Sequence, residues 1–411
     1  MKDKKLSRRD FIKIAGAAGL GSMAASVAGL SVASDMYRSK DSRPLIVPTR
    51  PFGKTGESVS ALSFGGSHNI LSKQLLLKKA LEMGITYWDT ALTYRNSEEG
   101  MGKYFMKYPD DRKKVFLVTK SPSSVPKKMT NNLDSSMENL KTSYIDMFFI
   151  HMVSDVKKEL TEETRQWVEK QKKMGKIRYF GFSTHKNMER CLMDGSTLGW
   201  IDGIMTSYNY RLMHKDPMKR AMDACIKAGI GLTAMKTQAS FVSRFYADVG
   251  GEDDTALGLA EKFMKKGFTL EQAKLKAVWE NPDIASICSE MPNLMILMAN
   301  AAAAADKTKL SYHEIESLKQ YVDKTASHYC AGCAEICEPA LNPRIPVCDV
   351  MRHLMYARGY GEPDRAIDFF RRIPKEVKSN IISADYSEAE KKCPNKMPIA
   401  ELMKEASAFF V

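Results

Sequence analysis

The chain of 411 residues contains no strongly apolar run of membrane-spanning length. Its twenty uncharged residues from Ile14 to Ala33 are rich in Ala, Gly and Ser and poor in Leu and Ile, which makes them a weak membrane span. The composition of disorder is absent as well: 44% hydrophobic and 27% charged residues are the balance of a globular protein with ample core. Gly16, Gly19 and Gly21 have no strand before them and no βαβ unit around them, which excludes a dinucleotide-binding loop at that point. Acidic side chains are the minority, 49 against 62 basic ones, for a formal charge of +13. Lys2, Lys4, Lys5, Arg8, Arg9 and Lys13 against Asp3 and Asp10 put +4 of that charge before Ile14, leaving +9. The rest is scattered among acidic neighbours, as in the stretch from Glu159 to Lys173. That pattern describes a solvated basic surface, and no nucleic-acid partner is expected.

What the N-terminus does contain is Ser7-Arg8-Arg9-Asp10-Phe11-Ile12-Lys13, then the mild apolar stretch, then the small residues Ser31-Val32-Ala33. The combination resembles a twin-arginine export signal over residues 1–33. That resemblance implies the twin-arginine export machinery as a partner and a final location in the periplasm or on the outer face of the cytoplasmic membrane. An uncleaved anchor would leave the body on the same side. The route carries proteins that fold, and often load cofactors, before crossing.

Beyond the leader, short apolar runs alternate with amphipathic stretches of ten or more residues, the signature of βα repeats. Candidate strands are Ala61 to Phe64, Tyr87 to Asp89, Val115 to Thr119, Met147 to Ile150, Tyr179 to Phe182, Ile204 to Thr206, Gly231 to Ala234 and Ile284 to Ile287. Helical patterns lie between them, such as Ser72 to Met83, with Leu76, Ala80 and Met83 on one face, and Asn131 to Leu140. Eight such units predict an α/β fold, a (β/α)8 TIM barrel over residues 44–305, the size of one such barrel. From Lys309 the pattern changes to helices with clustered cysteines, so a boundary is placed near Asp306, with a small, mainly helical module over 306–411.

A barrel of this kind places its chemistry at the C-terminal ends of its strands. The second candidate strand ends in Asp89-Thr90-Ala91 followed by Tyr94, the third in Lys120 and the fourth in His151. Together with Phe52-Gly53-Lys54-Thr55-Gly56, Ser63-Phe64-Gly65-Gly66, Tyr144-Ile145-Asp146, Gly175 to Gly181, Tyr208-Asn209 and Asn281-Pro282, in that order, these residues resemble the aldo-keto reductases. The resemblance implies that Tyr94 is the proton donor to a carbonyl oxygen, that Lys120 lowers its pKa, that Asp89 pairs with Lys120, and that His151 orients the substrate. Elementary chemistry supports the roles. A phenol of ordinary pKa about 10 needs a nearby ammonium to become a useful acid, and a buried lysine needs a carboxylate to keep its charge. A neutral His151 can donate to the carbonyl. Taken singly, each residue is as readily a cap, a packing residue or a surface group. The implied substrate is a small-molecule carbonyl or alcohol.

The family also implies a nicotinamide, NADP or NAD, across the barrel mouth, held here by Ser183, Thr184, Tyr208, Asn209 and Lys236, which are otherwise ordinary loop polar residues. The chain departs from the pattern at Thr184, where the family often has Asn, and at Met205, where it has Gln. It has no arginine around Ser289-Glu290-Met291-Pro292-Asn293, where a phosphate clamp is usual.

Cys330, Cys333, Cys337 and the later Cys393-Pro394 resemble the thiolate set of a bacterial 4Fe-4S ferredoxin, with one extra residue between the second and third cysteines. The resemblance implies an iron-sulfur module, for electron transfer to a redox partner or for stability of the tail. A four-cysteine zinc site, disulfides and unused cysteines are the other readings, and Cys348 can replace one ligand. Cys191, Cys225 and Cys288 read as core residues. The reading as a whole is an exported oxidoreductase. A non-catalytic electron-transfer or partner-binding protein built on a barrel scaffold is the alternative.

Overall fold

The computed structural model describes residues 45–240, Val242 and 268–409. The expected leader, residues 1–33, lies outside them. Eight parallel strands close on themselves: β3 (Leu62–Gly65), β4 (Tyr87–Asp89), β5 (Phe116–Ser121), β6 (Ile145–Ile150), β7 (Ile177–Thr184), β8 (Gly203–Ser207), β9 (Gly231–Met235) and β10 (Ile284–Glu290), with β10 pairing back to β3. Every expected strand is present. Alternation sorts their side chains: Tyr87, Phe116, Val118, Met147, Phe149 and Met205 fill the barrel, while Trp88, Leu117 and Phe148 face the helices.

Those helices are α1 (Gln74–Glu82), α2 (Ser97–Lys107), α3 (Pro126–Leu140), α4 (Val156–Glu159), α5 (Glu162–Lys173), α6 (Met188–Ser196), α7 (Asp216–Lys227), α8 (Leu270–Trp279) and α9 (Leu294–Ala305). Each buries one stripe, as α1 does with Leu76, Leu77 and Ala80. Local signals set their ends. Pro126 opens α3, and at α8 the Thr269 hydroxyl and Gln272 side chain cap each other's backbone amides.

The periodicity gave no sign of the first element, an antiparallel hairpin of β1 (Thr49–Pro51) and β2 (Ser58–Ser60). Its turn inserts Phe52, fully buried, into the bottom of the barrel against Tyr87 and Phe116, at 6.2 and 5.5 Å between ring centroids. Glycine is required above that ring: a Cβ on Gly203 would stand 2.8 Å, and one on Gly231 2.5 Å, from Phe52 ring carbons.

After the barrel, α10 (Tyr312–Lys324) still packs on its outer layer through Leu318 and Tyr321. A second apolar core is assembled from Ala334 onward by α11 (Ala334–Cys337), α12 (Val347–Gly359), α13 (Pro363–Arg372), α14 (Lys375–Ser383), α15 (Ser387–Lys392) and α16 (Ile399–Ser407). The two cores therefore change over between Tyr329 and Ala334, later than Asp306, because α10 covers apolar barrel surface. The module is tied to the barrel near α6. Asn187 binds Gly332 O and the Glu335 amide at 2.8 and 3.0 Å, and Lys186 pairs with Asp349 at 2.9 Å. Among the described residues, no helix is long and apolar enough to cross a membrane.

Candidate active site

Asp89, Lys120 and His151 all follow the inward parity of their strands, two residues beyond Tyr87, Val118 and Phe149 respectively. Pairing places Asp89 beside Val118 and Lys120 beside Phe149, at the C-terminal ends of β4 and β5, where the Lys120 side chain reaches across to Asp89. Both carboxylate oxygens of Asp89 stand 2.7 Å from Lys120 Nζ, which also donates to Thr90 O at 2.8 Å. The pair is buried, Lys120 at 1% exposure and Asp89 at 2%. Half-buried Tyr94, on the loop between β4 and α2, lies over it, with the ammonium 4.9 Å from the ring centroid. His151 meets the Tyr94 ring edge-on at 5.7 Å, and its Nδ1 is 3.5 Å from the Thr93 hydroxyl. The four residues expected to act together are together.

Lys120 lowers the Tyr94 phenol as expected, but the net shift is upward. Burial raises the phenol, Lys120 lowers it, and Asp89 cancels much of the lysine's field, so its pKa is pushed up to about 12. The hydroxyl keeps its proton at neutral pH. Burial opposes the charge on Lys120, but Asp89 outweighs it and the ammonium is held above its ordinary range. Burial, then Lys120, pushes His151 well below the usual histidine range, which leaves a neutral imidazole.

Asp89 and Tyr94 open into a cavity of about 450 Å³. Of the residues expected to hold a cofactor, Lys236 lines it. Ser183 accepts a hydrogen bond from the Met152 amide, and Thr184 donates to Lys186 O, so both fasten loops. Tyr208 is a correction. It belongs to the outer core layer, and its hydroxyl accepts from Asn281 at 3.0 Å. Asn209 donates to Lys236 O and to the Tyr329 hydroxyl, which makes it a support for Lys236. Cys288, read as plain core, instead lines the mouth next to Asp89, whereas Cys191 and Cys225 are core residues. Sequence reasoning also missed the roof of the cavity, where Tyr356, Tyr360, Glu362 and Arg365 reach over from α12, α13 and the turn between them.

Residues 63–286 match the aldo/keto reductase family. The chain belongs to that family. An aldo-keto reductase of Gibberella moniliformis is 29% identical over 187 residues, 42% of this chain and 54% of the relative. One of Schizosaccharomyces pombe, whose name carries NADP(+), is 30% identical over 159 residues, 33% of this chain and 45% of the relative. The chain thus spans about half the length of these curated relatives. Among solved structures, an aldo-keto reductase from Klebsiella pneumoniae in complex with NADPH superimposes with a TM-score of 0.54 at 22% identity, covering 67% of this chain and 95% of that one.

In this aldo/keto reductase the C-terminal cysteines gather at one place. Cys330, Cys333, Cys337, Cys348 and Cys393 line a small cavity between α11, α12 and α15, and all are free thiols. Cys348, on α12, hydrogen-bonds both Cys330 and Cys337. Among the described residues, no three potential ligands converge in metal-binding geometry.

Proposed function

We propose that the protein is an exported oxidoreductase that interconverts a small-molecule carbonyl and its alcohol with a nicotinamide nucleotide. The observation that carries the reading is the Asp89–Lys120 pair at 2.7 Å beneath the Tyr94 ring, opening into a cavity of ligand size. Tyr94, protonated at neutral pH, donates to the carbonyl oxygen. Lys120 stabilises the phenolate left behind, and neutral His151 donates a second hydrogen bond that fixes the carbonyl. A bound nicotinamide supplies hydride. NADPH in the Klebsiella structure and NADP(+) in the name of the yeast relative favour that cofactor. Against a 2′-phosphate stands Glu290, a carboxylate lining the cavity at the end of β10.

Five thiols around one cavity, with no disulfide among them, suit a thiolate-held group, for which the cysteine spacing suggests a 4Fe-4S cluster. Cys330, Cys333, Cys337 and Cys393 would hold it, with Cys348 as the replacement ligand. Such a cluster supplies single electrons or fastens the second core. Metal analysis of anaerobically purified protein checks this, since zinc would give no brown colour.

The decisive assay is carbonyl reduction with NADPH and with NADH by the wild type and Tyr94→Phe. Equal rates would remove the proposed chemistry. Met205 and Glu290 facing the cavity favour the scaffold reading. It predicts no saturable binding of either nucleotide.

A further inference from the structure

The roof of the mouth cavity holds a group of charges that the proton-transfer site does not use. Lys236 follows β9 in a left-handed backbone conformation, φ +55°, which lysine seldom adopts and which persists only where the surroundings enforce it. Asn209 fastens its carbonyl at 3.1 Å. Its ammonium reaches across to the module and contacts the Tyr356 hydroxyl at 2.6 Å. The Arg365 guanidinium lies 3.9 Å from the centroid of the same ring. Tyr356 is buried, and Arg365 stands at the exposed rim.

Of the carboxylates that line the cavity besides Glu271, two are engaged away from the roof and the third is held by the roof's own arginine. Asp89 is bound to Lys120, Glu290 to the Ser67 hydroxyl at 2.5 Å, and Glu362 to one arm of Arg365 at 3.1 Å. Among the described residues, Lys236 has no carboxylate within ion-pair distance. Its hydrogen-bond partner is a phenol.

We infer that Lys236, Tyr356 and Arg365 form a cradle for an anionic group, a carboxylate or phosphate, on the carbonyl substrate, which sets its reacting end at Tyr94. This rests on the carbonyl-reductase reading and extends it to a substrate class. The two phenols of the cavity report how its potential is divided. Burial drives both upward, yet Tyr356, under Lys236, Arg365 and Arg352, is drawn down to about 8, while Tyr94 stands at about 12. The roof therefore attracts negative charge, and the floor offers a neutral proton donor. An elongated substrate with an anion at one end and a carbonyl at the other matches that polarity. Arg365 adds a planar fork suited to two carboxylate or phosphate oxygens.

The test compares matched aldehydes with the full-length protein saturated with nicotinamide cofactor: 4-carboxybenzaldehyde against benzaldehyde, and 5-oxopentanoate against pentanal. The expected wild-type preference in kcat/KM for the carboxylated member is about tenfold or more, carried by KM, the effect of one hydrogen bond to a charged group. Arg365→Met and Lys236→Met should reduce that ratio to near one, and Arg365→Lys should restore part of it. Arg365 lies at an exposed rim, so its variant leaves the cores intact even if Lys236→Met does not fold. A wild-type ratio near one, or a ratio unmoved in Arg365→Met, overturns the proposal. The two nucleotides are titrated in parallel. If Arg365→Met weakens nucleotide binding while the ratio stands, the anion is a cofactor phosphate and the substrate assignment falls. If the wild type reduces neither aldehyde, the reductase reading has failed, and calorimetric titration with benzoate still judges the cradle: binding lost in Arg365→Met supports it, and no binding to wild type overturns it.

Discussion

At the scale of single residues, the site depends on one buried charge compensated by another. Lys120 at the rim would lose its proton without Asp89, and Asp89 would be an uncompensated carboxylate without Lys120. Lys120→Met should therefore destabilise the fold by about 3 to 5 kcal/mol, measured by urea unfolding. The double variant with Asp89→Asn should lose clearly less than the sum of the single losses, since the two share one interaction. Tyr94→Phe removes only a half-buried hydroxyl, so stability should hold while kcat for carbonyl reduction falls about 10² to 10⁴-fold. Asp89, Lys120 and His151 were legible because alternation along each strand already points them inward. Tyr208 could have been excluded by the same parity, since Met205 faces in and Tyr208, three residues on, faces out. Cys288 was hidden by its apolar setting and by a register shift between Ile284 and Ser286 that breaks the alternation at the start of β10.

At the scale of elements, two packing arrangements decide local stability. The hairpin turn closes the barrel bottom with Phe52, and the missing side chains at Gly203 and Gly231 make its room. Gly231→Ala should cost about 1 to 3 kcal/mol by overpacking and Phe52→Ala about 3 to 5 by leaving a cavity. Combined, the loss should fall below the sum, because the smaller side chain removes the clash. This hairpin escaped sequence reading because its strands, Thr49-Arg50-Pro51 and Ser58-Val59-Ser60, carry no apolar run, whereas the equally short Tyr87-Trp88-Asp89 does. In the module, α12 and α13 are joined by His353, stacked on Phe369 at 3.6 Å with Nδ1 2.7 Å from Asp349 O. Burial drives its pKa down to about 3 from the usual 6.5. A folded pKa below the unfolded one means that the unfolded chain binds the proton first as pH falls. The stabilisation is thus complete above pH 6.5 and is lost downward toward pH 3, at about 1.4 kcal/mol per unit. Unfolding free energies of wild type and His353→Gln, compared from pH 7 to pH 5, should converge with falling pH. A constant difference would mean that the imidazole takes up its proton as readily in the folded chain as in the unfolded one.

At the scale of the whole molecule, the module completes the barrel's site. One face of α12 begins at Cys348 in the thiol cavity, passes Met351 and Met355, and ends with Tyr356 in the mouth, about 12 Å along the helix axis. The chain order predicted a barrel and a cysteine-bearing helical tail, but it could not show the tail folded back over the rim, because that contact joins residues more than a hundred positions apart. With the proposed cluster in the thiol cavity, this geometry would link it to substrate choice. Removing iron from the purified protein, or replacing Cys333 and Cys337 together by Ser, should loosen the second core while the first, built on its own apolar layers, remains. The melting curve should split, with a module transition shifted down by about 4 to 8 °C for each kcal/mol lost, and the barrel transition should stay near its original temperature. Because Tyr356 and Arg365 belong to the loosened part, preference for the carboxylated aldehyde should fall with it, while Tyr94 still reduces the neutral one. A single unshifted transition after iron removal would show that the second core stands without a metal and that the roof does not depend on the thiols.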